Sequence, residues 1–107
     1  MTHTFTHPDG FVFQVKLQSW LPTLLGADGV TIGSTIRFRK GWGPNSRLFA
    51  HETRHLQQYR WFGTLGFLWR YLTSSKFRGQ MEAEAREWGE AHRGDLWILQ
   101  SAMDLKK

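Results

Sequence analysis

The chain has 107 residues, no cysteine and a formal net charge of +5. That length fits one domain with one core, and the missing cysteines exclude disulfide scaffolds, thiolate metal sites and cysteine nucleophiles, so any metal must be held by His, Asp or Glu. The basic residues are spread through the sequence from Arg37 to Arg93 instead of forming one run, which argues against a dedicated nucleic-acid surface and for a solvated basic one.

The opening residues Met1 to Asp9 have neither a basic n-region nor an apolar h-region. The expectation is therefore no secretory signal and a cytoplasmic protein. His3 and His7 are expected in a frayed terminus. Phe13 to Leu17 alternates apolar and polar, the period of a half-buried strand. Pro8-Asp9-Gly10 signals a turn ahead of it, which would put Phe5 on a partner strand. Trp20 to Gly26 is ambiguous and could be a loop with one helical turn. Gly29 to Arg39 reads as one or two strands, with Gly33 a bend, a bulge or a close backbone approach. Lys40-Gly41-Trp42-Gly43-Pro44 closes this part as a loop.

Helices follow. Asn45 or Ser46 can cap one running to about Trp61. Thr64 to Leu72 is a short aromatic helix, Thr73 to Gly79 a loop, and Gln80 to His92 a polar amphipathic helix. Gly94-Asp95 stops that helix and caps a last one, Leu96 to Leu105. There Leu96, Trp97, Leu99 and Met103 form the expected packing face. Strands first and helices afterwards imply an α+β fold, an N-terminal antiparallel ribbon or small sheet followed by a helical part.

The chemistry lies in His51-Glu52-Thr53-Arg54-His55. Histidines four apart on a helix share one face, so both imidazoles reach one zinc ion at about 2.0–2.1 Å. Glu52 is then placed as general base and not as ligand. Leu48, His51, Glu52, His55, Tyr59 and Phe62 make one helical stripe. On a buried face, unpaired imidazoles and a carboxylate would be costly, and a metal would satisfy them.

A third ligand has to come from elsewhere, and Glu82, Glu84, Glu87 and Glu90 are the choices. Glu82, Ala85, Gly89 and His92 share a stripe whose small residues let a second helix backbone approach. Glu82 is the preferred ligand and Glu84 the alternative, since Glu84 points about 200° away around the axis.

Phe49 to Gln58 together with Glu82-Ala83-Glu84-Ala85 resembles the minimal soluble gluzincins, or minigluzincins. Their fold is similar to the catalytic core of integral-membrane peptidases of the HtpX and BlaR/MecR types. The resemblance covers roughly residues 30 to 92. It implies one zinc ion per chain and Glu82 of an ExxA pattern as third ligand. It also implies a rim strand (Ile32, Ser34 and Ile36 here) that pairs with an extended peptide or protein substrate. A downstream His, Arg or Tyr would stabilise the transition state. His92 suits by type but lies about 15 Å along the helix from Glu82. Tyr59 and Tyr71 are the alternatives. Arg86 stands where the pattern commonly has Asp, the group that usually supports a histidine ligand.

The expected function is thus zinc-dependent peptide hydrolysis. A metal-binding domain that is latent or without turnover is the first alternative. A basic module on nucleic acid or a membrane surface, with an accidental HExxH, is the second. Trp61-Phe62, Phe67 and Trp69 are expected as core, or as a peripheral membrane contact flanked by Arg60 and Arg70.

Overall fold

The computed structural model describes residues 2–41 and 45–106; the Trp42-Gly43-Pro44 part of the expected loop lies outside the described residues. Its elements run β1 (Thr2–Thr6), β2 (Val12–Ser19), α1 (Trp20–Leu24), β3 (Gly29–Ile32), β4 (Thr35–Arg39), α2 (Ser46–Phe62), α3 (Thr64–Thr73), α4 (Ser75–His92) and α5 (Leu96–Leu105). The fold is α+β, a four-stranded sheet followed by helices.

The sheet order is β1-β2-β4-β3. β1 and β2 form the expected hairpin, with Phe5 opposite Phe13. β3 and β4 form a second, turning at Gly33-Ser34, where Gly33 has φ 63°. A two-residue turn of this kind favours glycine at its first position. The sheet is nevertheless mixed and not antiparallel throughout, because β4 lies parallel to β2, with Val15 opposite Ile36. The reason is α1. It reverses the chain before β3, so that β4, the returning arm of the second hairpin, runs with β2 and takes the place beside it.

One sheet face carries Phe13, Val15, Ile36 and Phe38, all buried, and packs with Phe49, Ala50 and Leu56 of α2 and Ile98 and Leu105 of α5. Asn45 caps α2 by accepting a hydrogen bond from the Leu48 N–H. The loop expected over Thr73 to Gly79 shrinks to Ser74. The Ser74 hydroxyl caps α4 by accepting from Phe77 N–H, and Phe77 packs edge-on against Phe62 and Phe67.

Other expectations are corrected by burial. His3 sits in β1, and His7 is buried and stacked on Phe11, so neither frays. On α5 the packing face is Ile98, Ser101, Ala102 and Leu105, with Trp97 against the core, while Leu96, Leu99 and Met103 face outward. Of the aromatic cluster only Phe67 is core; Trp61, Phe62 and Trp69 are exposed. Among the described residues no helix is long and apolar enough to cross a membrane.

Candidate metal centre

The helix α2 and the helix α4 cross at close range because α4 is small where they meet. Ala85 and Gly89 are its buried residues. A Cβ on Gly89 would lie 3.2 Å from the His51 backbone nitrogen and 3.3 Å from the Arg47 carbonyl. This close approach brings Glu82, two turns before Gly89, over the histidines of α2.

Three donor atoms then form a triangle. His51 Nε2 to Glu82 Oε1, His55 Nε2 to Glu82 Oε1, and His55 Nε2 to His51 Nε2 are each 3.2 Å. Tetrahedral zinc with ligand bonds of about 2.0–2.1 Å needs donors about 3.3–3.4 Å apart. The residues present therefore fit the ion. Two imidazole nitrogens facing each other and one carboxylate oxygen are also a metal donor set by chemistry. His51, His55 and Glu82 lie close enough to bind a metal ion.

Two of the three donor residues, His55 and Glu82, are held by neighbouring side chains. His55 Nδ1 lies 2.8 Å from Gln58 Oε1, and Gln58 Nε2 donates to the Met81 carbonyl and to Glu84. The amide is thus oriented by its two acceptors, which makes His55 Nδ1 the donor and leaves Nε2 free to ligate. Gln58, which sequence reasoning passed over, thus orients the His55 ring. Its only signal was a polar residue three positions after His55, on the same helical face. Tyr71 donates its hydroxyl to Glu82 Oε2 at 2.8 Å. Glu84 belongs elsewhere, held by Arg54 Nε at 2.8 Å to both carboxylate oxygens.

Electrostatics follow the geometry. Burial would raise the Glu82 carboxyl, but hydrogen bonds from His51, His55 and Tyr71 and the His55 charge outweigh it and hold the group far below its usual range. Burial works to lower His55 as well, yet the Glu82 bond and the charges of Glu52 and Glu82 raise it. Tyr71 is raised by burial and then by Glu82. Tyr59 is pushed up to about 12 by burial and by Glu52.

Glu52 is buried one position along from His51, and its Oε1 accepts a hydrogen bond from Thr31 Oγ1 at 2.7 Å. Thr31 lies on β3, so the edge strand and the motif helix are tied at this carboxylate. Glu52, the three donor residues, Tyr59 and Tyr71 all line one cleft of about 570 Å³, walled by β3 and by α3.

The other expected residues divide. Ile32 is on β3 and lines the cleft. Ser34 is in the turn and lines a separate pocket with Phe11 and Arg60, and Ile36 is a fully buried core residue of β4. The rim strand is therefore β3 alone, because the reversal comes at Gly33. Tyr71 reaches a ligand, Tyr59 forms part of the wall against Phe67, and His92 sits at the end of α4, paired with Asp95 and stacked on Trp88. Comparison with family models, with curated proteins and with solved structures finds no match for this chain.

Proposed function

We propose that this chain is a zinc-dependent peptide hydrolase, with zinc on His51, His55 and Glu82 and with Glu52 as general base. The observation that carries this reading is the 3.2 Å donor triangle facing a cleft that also holds the Glu52 carboxylate. It agrees with the gluzincin resemblance of the two helices.

A bound zinc ion would supply a Lewis acid that polarises a carbonyl and acidifies a water. Glu52, buried and able only to accept while ionised, takes the proton of the attacking water and returns it to the leaving amine. Thr31 holds that carboxylate in one orientation. Tyr71 lines the same cleft and holds the Glu82 carboxylate through its hydroxyl. β3 is the end strand of the sheet and lines the cleft, which suits an extended peptide bound by main-chain hydrogen bonds.

A metal-binding domain without turnover is the second reading. It is favoured by the hydrogen bonds that already engage both Glu52 and Tyr71. Metal content and peptide cleavage together test the two. About one zinc per chain, lost in His55→Ala and Glu82→Ala but kept in Glu84→Ala, is the expected result. Cleavage that vanishes in Glu52→Gln while zinc stays would support hydrolysis. Zinc with no cleavage of a broad peptide mixture would leave the binding domain, and no zinc at all would end both readings.

A further inference from the structure

The cleft is bordered by two apolar lips that no element of the described structure covers. On α3, Leu65, Trp69 and Leu72 are 82, 71 and 72% exposed. Their spacing of four and three residues makes them one stripe, while Phe67 and Tyr71 turn inward to the core and to Glu82. Across the cleft, Trp20, Leu24 and Leu25 of α1 and its end are exposed to a similar degree. Leu25 and Leu72 both line the cleft itself, so the lips border the same mouth. Solitary exposed apolar residues are ordinary, but a grouped set with two Trp marks an interaction surface.

The segments that carry these lips are basic, and the exposed acid beside them at the cleft mouth, Asp28, is paired with Arg39. Residues 53–81 contain Arg54, Arg60, Arg70, Lys76 and Arg78 and no Asp or Glu, and residues 10–27 contain Lys16 and no acid. Arg54 is taken by Glu84. Arg60 and Arg70 lie over the rings of Phe11 and Phe62, and they and Lys76 are exposed. We propose that the α1 and α3 lips seat the protein peripherally on an anionic lipid bilayer, with the cleft mouth facing the membrane. An acid-free aromatic and aliphatic stripe flanked by arginine and lysine suits the headgroup boundary, where Trp is favoured and basic side chains meet lipid phosphates. Attachment is by the surface and not by a span, consistent with the absence of a crossing helix among the described residues. The inference does not depend on hydrolysis.

The test is co-sedimentation of the full, metal-free chain with vesicles, read also by Trp fluorescence. Binding is expected to vesicles of equal parts phosphatidylcholine and phosphatidylglycerol, about tenfold weaker to phosphatidylcholine alone, and weaker again as salt rises. Trp69→Ser/Leu72→Ser is expected to lose about tenfold or more in affinity. Trp20→Ser/Leu24→Ser tests the other lip independently, and unchanged far-UV circular dichroism shows that each variant folds. No binding of the wild type to the mixed vesicles would overturn the proposal. So would mixed-vesicle binding that both double variants retain, which would leave only a basic surface. A wild-type dimer that ignores vesicles and that Trp69→Ser/Leu72→Ser dissociates would also overturn it, assigning the lips to a second copy.

Discussion

Gln58 and His55 are joined side chain to side chain, Oε1 to Nδ1 at 2.8 Å, on the side of the imidazole away from His51 and Glu82. Because Gln58 Nε2 is committed to Met81 and Glu84, the oxygen has to face the ring. For the neutral imidazole the site therefore selects the tautomer whose Nε2 lone pair points at His51 and Glu82. Gln58→Leu is expected to reduce zinc affinity about tenfold to a hundredfold, measured by competition with a chromophoric chelator. Unchanged affinity would mean that packing alone orients His55.

Thr31 performs the matching task for Glu52, through its hydroxyl at 2.7 Å. Thr31→Val keeps the shape and deletes the donor from a buried carboxylate. The loss is expected to be about 1–3 kcal/mol of stability in chemical denaturation. Thr31→Ser is expected to recover most of it, and equal losses in both variants would assign the effect to packing.

Two glycines of α4 are expected to respond in opposite directions. Gly89→Ala places a methyl group 3.2–3.3 Å from the backbone of His51 and Arg47. The helices must part, at about 1–3 kcal/mol, and zinc affinity is expected to fall with them. Nothing lies within 4 Å of a Cβ at Gly79, so Gly79→Ala is expected to raise stability by up to about 1 kcal/mol through helix propensity. Thermal melting of the pair separates crossing distance from propensity.

The metal-free protein is expected to be most stable in mild acid. Burial opposes the charged form of Glu82, but its hydrogen bonds lower its pKa below the ordinary 4.5. That contribution is present above about pH 4.5 and is lost as the pH falls toward the folded value. His55 is raised above 6.5, the Glu82 bond and the nearby charges outweighing burial. Its contribution is full below about pH 6.5 and is lost as the pH rises through the folded value. Melting in chelator should therefore peak between these two limits. Added zinc should stabilise most at and above neutrality, where the imidazoles no longer need to shed protons. A flat profile in chelator would contradict the coupling of His55 to Glu82.

Much of this arrangement was legible in the sequence. The period of two around Phe13 and the period of four through His51 and His55 place strand and helix, and the stripe of Glu82, Ala85 and Gly89 points to the helix crossing. Glu82 over Glu84 follows from the same stripe, since Glu84 faces Arg54. The parallel pairing of β2 with β4 was not legible, because two successive hairpins say nothing of which strand joins them. Ser74 misled because a Thr-Ser-Ser run reads as loop until one serine is seen as a cap. On α5, apolar residues fall on every side, so periodicity could not tell Ile98 from Leu99. Gln58 carries no mark of its role in its residue type.

Helix α3 bridges α2 and α4 with a single buried residue, Phe67, and with no side-chain cap at its Gly63 start. Segments with so few buried contacts open locally at a free energy well below that of global unfolding. Such opening would widen the cleft and at the same moment withdraw the Tyr71 hydroxyl from Glu82. Admission to the cleft and the basicity of the Glu82 carboxylate are thus one variable and not two: a molecule entering by the α3 side would meet a Glu82 momentarily relieved of its Tyr71 hydrogen bond, with only His51 and His55 left to hold it.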